Sequence, residues 1–184
     1  MKIKPVHPPY LYSIQFDGQE INEYYRVFDL WTDISYLEAF FKNQSGLISG
    51  AFWNLTPEFA IKRVTDEAYE LDDELFMLFK NTTCGSQPDF EDHFKLYGGK
   101  YYGVTEWYPM KSYGPHNPSL LRLYAIRFEK NCYLIVAGGI KLTKELKDTP
   151  GLQQEIEDRI DRVRSWLKAE GIIDFEDLKN RCEY

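Results

Sequence analysis

The amino-acid sequence predicts an α+β fold: a small antiparallel sheet, an N-terminal helical segment and a long C-terminal helix. Three observations lead to this prediction. Residues 10–16 alternate as a strand does, residues 20–80 carry apolar side chains at helical spacing, and two apolar segments flank a short turn at residues 129–131. A hydrophobic content of 43% and an aromatic content of 16% are enough for a sizeable core.

The N-terminal half is predicted to be mainly helical. Helical spacing begins near residue 20, after the strand of residues 10–16, and Asp33 is a suitable N-cap for a second helix. Thr56 followed by Pro57 is typical of a helix start, so we expect a long helix from residue 57 to about residue 80. The residues predicted to form its buried side are Phe59, Val64, Ala68, Leu71, Leu75 and Leu78.

The clearest local prediction is a β-hairpin in the third quarter of the chain. Residues 120–128 form its first strand and residues 132–142 its second. Because side chains alternate along a strand, Arg122 and Tyr124 are predicted to share one face, with Arg127 on the other. The hairpin therefore carries positive charge on both faces.

The segments around the hairpin are predicted from their glycines and prolines. Gly138-Gly139 in the second strand indicates a bulge or a close backbone approach. Residues 101–113 are rich in aromatic residues and indicate a further strand, whereas residues 112–119 indicate a mobile loop. After the hairpin, Thr149-Pro150 predicts the start of a helix that runs to about residue 170, and a short helix is expected from Asp174.

The charge distribution is uneven along the chain. The net charge of −7 argues against broad, non-specific binding of nucleic acid. Residues 95–147, however, hold nine basic and three acidic side chains, while residues 1–94 hold seven basic and sixteen acidic ones. The basic segment contains the hairpin, which predicts a local anion-binding face. Chance variation on a solvated surface is the alternative interpretation.

The cysteines and the hydropathy pattern bear on compartment and cofactors. Cys84, Cys132 and Cys182 are far apart, and no CxxC or Cys/His cluster occurs, so we expect reduced thiols, no metal site and no cofactor. Cys132 is predicted to be a small core residue of a strand. Neither a signal peptide nor an apolar run long enough to span a bilayer is visible, so a cytoplasmic location is expected.

One segment resembles a known family. Residues 120–144 contain Leu121-Arg122 at the start of a strand, Ile135-Val136 in the returning strand, and then the run Lys141-Leu142-Thr143-Lys144. This pattern resembles the RelE/ParE-like toxin superfamily, particularly its HigB-like branch. The resemblance implies one domain of that type over residues 1–184, with a helical N-terminal half enlarged at about residues 17–95. Members of the family are usually shorter and more basic than this chain.

The resemblance also implies an activity and partners. It implies the toxin of a toxin–antitoxin pair, a metal-independent endoribonuclease that acts on mRNA, either free or on the ribosome, or else a topoisomerase-directed relative. The expected partners are a helix-turn-helix antitoxin and RNA, and the resemblance leaves a homodimer open. Arg122, Tyr124 and Lys141 are the expected catalytic residues: Arg122 at the scissile phosphate, Lys141 on the backbone, and Tyr124 as a base-stacking or proton-transfer group.

Further cations are expected to bind the RNA backbone. These residues are Lys111, Arg127, Lys144 and Lys147, and His116 is a weaker candidate in the loop before the hairpin. Each of these residues, like Arg122 and Lys141, also has an ordinary interpretation, as a surface or salt-bridged residue that only solubilises a strand. For Tyr124 the ordinary interpretation is a half-buried aromatic residue of the core.

Two other functions stay open at this stage. The first is a non-catalytic, protein-binding module of the same fold, for which an aromatic-rich surface is suitable. The aromatic residues in question are Tyr101, Tyr102, Trp107, Tyr108 and Tyr113, which are equally compatible with core packing. The second is an unrelated small enzyme, although no phosphate-binding glycine loop or nucleophile elbow occurs.

Overall fold

The computed structural model describes residues 1–98 and 107–182, and it confirms the predicted α+β class. The strands in these residues are β1 (Lys2–His7), β2 (Leu11–Gln15), β3 (Lys95–Leu96), β4 (Tyr108–Tyr113), β5 (Leu121–Glu129) and β6 (Cys132–Ile140). The helices are α1 (Glu23–Thr32), α2 (Ile34–Asn43), α3 (Ser45–Ile48), α4 (Pro57–Cys84), α5 (Phe90–His93), α6 (Leu152–Ala169) and α7 (Phe175–Arg181). A 3₁₀ turn, Leu146–Asp148, precedes α6.

The sheet is larger than predicted and is mixed. Its strand order is β1-β2-β6-β5-β4-β3, and every neighbouring pair is antiparallel except β2 and β6. Residues 11–13 of β2 run parallel to residues 133–135 of β6. β1 was not predicted as a strand, because Pro5 lies within it. Proline is tolerated there because β1 is an edge strand.

The sheet separates two apolar cores. On one face, Leu121, Leu123 and Ala125 of β5 pack with residues of α1 to α5. On the other face, Tyr124 and Ile126 pack with residues of α6 and α7. This alternation is the one predicted for the hairpin, and it gives the molecule three layers with the sheet in the middle.

Most helix starts agree with the sequence, and two details differ. Thr56 caps α4 by accepting the Phe59 amide at 3.4 Å, and the helix continues for 28 residues, which makes α4 longer than the C-terminal helix. Phe59 was predicted to be buried, but its side chain is 66% exposed. The predicted start of α6 at Thr149-Pro150 is wrong by two residues. The Thr149 hydroxyl instead accepts the Leu142 amide at 3.1 Å, and Gly151 precedes the helix.

Gly138 and Gly139 allow the close approach that the sequence predicted. A Cβ atom on Gly138 would lie 2.9 Å from the Trp31 ring of α1, and one on Gly139 would lie 2.4 Å from Leu152 of α6. Both helices therefore pack directly on the backbone of β6. The irregularity of the β5–β6 ladder lies nearby, between Ile135 and Ala137.

The structure also bears on the predictions for Cys132, for residues 101–113 and for membrane-spanning helices. Cys132 is buried, as expected for a core residue, and Trp107 is buried as well. The strand predicted in residues 101–113 is β4 from Tyr108 onward, while residues 101–106, with Tyr101 and Tyr102, lie outside the described residues. None of the helices in the described part of the chain is long and apolar enough to cross a membrane.

Candidate functional site

Two of the predicted catalytic residues line one cavity of about 580 Å³. We call it the Arg122 cavity. Its walls are Phe52, Trp53, residues 113–119, Arg122 and Lys141. The cavity lies where β4 ends and β5 begins, and residues before α4 close it on one side.

Arg122 is held rigidly in this cavity. Only 6% of its surface is exposed, and its Nη1 donates hydrogen bonds to the carbonyl oxygens of Ser119, at 2.9 Å, and Leu121. The guanidinium carbon lies 4.4 Å from the centre of the Tyr113 ring, which is the cross-strand neighbour of Arg122 in β4. Within the described residues, Nε and Nη2 have no hydrogen-bond partner. Two guanidinium nitrogens thus remain for an anionic ligand.

Three cations lie close together at this end of the sheet: Lys111, Arg122 and Lys141. Burial lowers the pKa of Lys141, and repulsion from Arg122 and Lys111 lowers it further, against an opposite effect of Glu145. Burial also lowers the pKa of Arg122, while Tyr124, Tyr113 and Glu67 act in the opposite direction. In residues 1–98 and 107–182, no carboxylate forms an ion pair with any of the three cations. Positive charge that is partly desolvated and unneutralised favours binding of an anion.

Lys111 lies beside the cavity and Lys141 lines it. The Lys111 ammonium is 5.4 Å from the centre of the Tyr113 ring, on the ring that Arg122 also contacts. The Lys141 ammonium donates a hydrogen bond to the Lys144 carbonyl, which fixes its position at the exit of β6. Tyr113 thereby makes cation–π contacts with two of the cations.

A buried carboxylate shapes the loop that forms the cavity wall. Glu67 of α4 accepts hydrogen bonds from the Ser119 hydroxyl at 2.6 Å and from the Leu120 amide at 3.0 Å. Arg63, one turn earlier, donates to Glu67 at 2.9 Å and to the Pro118 carbonyl. The loop was predicted to be mobile, but in the structure these bonds fasten its C-terminal part to α4. Helix α4, from the N-terminal half of the chain, therefore holds in place the loop that forms this wall of the cavity.

His116 and Trp53 add polar groups to the cavity wall. The His116 imidazole is 47% exposed, and its Nε2 lies 3.1 Å from a carboxylate oxygen of Glu70. A neutral imidazole that donates Nε2–H to Glu70 carries its lone pair on Nδ1 and can accept a proton there. The Trp53 indole is 7% exposed, and its N–H has no acceptor in the described residues.

The structure does not bring all predicted site residues to the cavity. Tyr124 is fully buried on the α6 side, where its ring meets Tyr97 edge-on at 5.3 Å, and burial raises its pKa. Arg127 lies at the far end of β5 in an ion pair with Glu91 at 2.8 Å, so its charge is neutralised. Lys144 and Lys147 are exposed, and neither of them lines the cavity.

A second polar cluster has the elements of a nucleophilic triad. The Ser112 hydroxyl is hydrogen-bonded to His93 Nε2, and His93 Nδ1 lies 3.4 Å from Glu74. Ser112, however, has 0% exposed surface, so no substrate can approach its oxygen in this structure. The cluster therefore ties α5 and α4 to β4 as a structural contact, in accord with the rule that buried polar groups are hydrogen-bonded.

Sequence reasoning missed the part of the site that comes from residues 50–70. Phe52 and Trp53 precede Arg122 by about 70 residues, and no local pattern connects them. Glu67 did carry a signal. It has the same helical spacing as the buried Val64 and Leu71, and a carboxylate on an apolar helix face predicts a buried partner.

Comparisons with protein-family models, with curated proteins and with solved structures found no match. Among residues 1–98 and 107–182, no three histidine, cysteine, aspartate or glutamate side chains are grouped so that they could hold a metal ion. The Arg122 cavity and the resemblance of residues 120–144 are therefore the features that bear on function.

Proposed function

We propose that the chain binds single-stranded RNA in the Arg122 cavity and cleaves it as a metal-independent endoribonuclease, the toxin of a toxin–antitoxin pair that acts on mRNA. One observation carries the proposal: Arg122 and Lys141, both unneutralised and partly desolvated, line the same cavity. A phosphodiester is the ligand that such a pair fits, because guanidinium nitrogens bind two phosphate oxygens and a lysine adds a point charge.

The cavity has groups for each step of the reaction. His116 Nδ1 takes the proton of the 2′-hydroxyl, and the 2′-oxygen attacks phosphorus while the bond from phosphorus to the 5′-oxygen breaks. Lys141 donates a proton to the leaving 5′-oxygen, for which its lowered pKa makes it a better acid than an ordinary lysine. Arg122 binds the non-bridging oxygens, on which negative charge accumulates. The products are a 2′,3′-cyclic phosphate and a 5′-hydroxyl.

Aromatic residues at the opening suit an RNA substrate. Tyr113 and Phe52 are each 43% exposed and line the cavity next to the cations. Unstacked bases of single-stranded RNA bind exposed aromatic rings, whereas a duplex keeps its bases stacked. As a toxin of this kind the chain would act in the cytoplasm, where mRNA is translated, and a helix-turn-helix antitoxin would hold it inactive.

The test is cleavage of a fluorescently labelled single-stranded RNA by the purified protein. We expect cleavage by the wild type, at least about a hundredfold slower cleavage by Arg122→Met and Lys141→Met, and loss of growth arrest when either variant is expressed. Lys130→Met is the matched control, because it removes one positive charge from the exposed β5–β6 turn. RNA that is bound but never cleaved would favour the non-catalytic binding module. The absence of both binding and cleavage would refute the proposal.

A further inference from the structure

The outer face of α4 combines exposed aromatic residues with acidic ones. Tyr69 is 62% exposed, Met77 51% and Phe76 42%, and Phe59 is the most exposed of the four. At about 100° per residue these side chains and the carboxylates of Asp66, Glu70 and Asp73 share one arc of roughly 120°. The opposite side of the helix is the buried one. A large apolar surface of this kind on one helix face is typical of an interaction site.

The charge of this outer face is predominantly negative. Between residues 66 and 77 the chain has six carboxylates and no lysine or arginine. Lys62 and Lys80 lie only at the two ends, where Lys62 is paired with Asp66 and the Lys80 ammonium lies 4.4 Å from the centre of the Phe76 ring. A second copy that presented the same acidic face would be repelled, and RNA would be repelled too. A basic partner is complementary.

The outer face continues into a groove that borders the Arg122 cavity. This groove has a volume of about 610 Å³. Leu55, Phe59, Asp66 and Glu70 line it with the loop residues His116 and Asn117, and so do Lys62 and Arg63, which are paired with Asp66 and Glu67. His116 and Asn117 also line the Arg122 cavity, so the two spaces share a wall. The contact between Glu70 and His116 Nε2, at 3.1 Å, lies at this boundary.

We propose that the outer face of α4 binds a basic amphipathic helix of another protein and that this binding controls the Arg122 cavity. Apolar side chains of the partner would cover Phe59, Tyr69 and Met77, and its lysines or arginines would pair with Asp66, Glu70 and Asp73. A cation at Glu70 competes with His116 for the carboxylate and so releases the imidazole that forms the shared wall. This face belongs to the enlarged N-terminal half, outside the segment that resembles the toxin family. The regulatory half of the proposal rests on the proposed function, whereas the docking half does not.

The experiment uses a fluorescein-labelled helical peptide of leucine and lysine with leucines at heptad spacing. We expect the wild type to bind it and Tyr69→Ser and Asp73→Asn each to weaken binding about tenfold, because exposed aromatic residues and complementary charges carry interface energy. Ile173→Ser, which removes another exposed apolar side chain, and Glu38→Gln, which removes an exposed helical charge, are the controls. Thermal unfolding verifies that every variant is folded.

The outcomes separate docking from regulation. No binding to the wild type, equal binding by all variants, or equal binding of a peptide with glutamate in place of lysine each overturns the docking. In a second measurement, a labelled 2′-O-methyl RNA is titrated with and without the peptide, and we expect its affinity to change at least about threefold. An unchanged affinity overturns the regulation, whereas RNA that fails to bind even without the peptide overturns the proposed function and leaves the docking result intact.

Discussion

The buried carboxylate of Glu67 and the hydroxyl of Ser119, 52 residues apart in the chain, are joined by a hydrogen bond of 2.6 Å. The same carboxylate accepts the Leu120 amide at the start of β5 and is balanced by Arg63. This contact connects the middle of α4 to the residues that hold Arg122, because the Ser119 carbonyl is one of the two acceptors of the guanidinium. The long helix therefore positions the candidate phosphate-binding arginine.

Replacing Glu67 is expected to affect stability and RNA binding together. Glu67→Ala leaves the Leu120 amide and Arg63 without their buried acceptor, so we expect the free energy of unfolding to fall by about 2–4 kcal/mol. Urea denaturation measures this loss, and a 2′-O-methyl RNA titration at a temperature where the variant is folded measures the second effect. A variant with wild-type stability and wild-type RNA affinity would show that α4 does not support the site.

The pH dependence of RNA binding reports on Lys141. Burial and the neighbouring cations lower its pKa below the ordinary value of 10.5, so its charge is lost at a lower pH than that of an exposed lysine. Affinity for 2′-O-methyl RNA should therefore fall as the pH rises from about 7 to about 10. In Lys141→Arg the charge persists throughout, and the decline should disappear. An equal decline in both proteins would assign the titration to another group.

His7 is expected to make the fold less stable in mild acid. Its imidazole is stacked on Phe79 at 5.2 Å, its Nε2 is buried without a partner in the described residues, and burial lowers its pKa although Asp72 opposes the shift. Because the folded-state pKa is lower than the unfolded value of 6.5, the unfolded chain takes up the proton first as the pH falls. The contribution of His7 to the free energy of unfolding is therefore fully present above pH 6.5. It decreases as the pH falls below 6.5, until the folded-state pKa has been passed.

The effect of His7 is measured by comparing the free energy of unfolding of the wild type with that of His7→Phe. Urea denaturation of the wild type and of His7→Phe from about pH 7 to about pH 5 should show a steeper loss in the wild type, by at most about 1.4 kcal/mol per pH unit. The aromatic replacement keeps the stacking and removes the titration. Parallel curves would mean that the imidazole titrates as it does in an unfolded chain.

Ser112 is expected to be a structural residue. Ser112→Ala leaves the His93 ring nitrogen without its partner, so we expect a stability loss of about 1–3 kcal/mol and unchanged RNA affinity and cleavage. The two effects are measured by denaturation and by the RNA assays at a temperature where the variant is folded. Loss of cleavage with wild-type stability would instead make Ser112, His93 and Glu74 catalytic.

Local sequence signals predicted the helices and the hairpin well. Thr56 and Asp33 cap helices where their side chains indicated, and alternation in β5 placed Arg122 and Arg127 on opposite faces. These features depend on neighbouring residues only, so the sequence carries them directly. Phe59 was misplaced because it lies on the outer face of α4, whereas its neighbour Ala60 faces the core.

Long-range relations were harder to predict. The parallel contact of β2 with β6 joins residues more than a hundred positions apart, and nothing local specifies it. Tyr124 shares a strand face with Arg122, but α6 covers the tyrosine and leaves the arginine at the cavity, a difference set by where α6 begins. Glu67 and Trp53 entered the site in the same way, through packing of α4 against the loop before β5.

We propose that Arg122 and Lys141 hold one phosphodiester between them, and this is measured by equilibrium binding of a 2′-O-methyl RNA to single and double variants. We expect Arg122→Lys, which keeps the charge but loses the two-nitrogen contact, and Lys141→Met each to weaken binding about tenfold. The double variant should lose less than the product of the two effects, because both residues act on the same phosphate, while Lys130→Met should bind as the wild type does. Equal affinities for the wild type, Arg122→Lys and Lys141→Met would contradict the account.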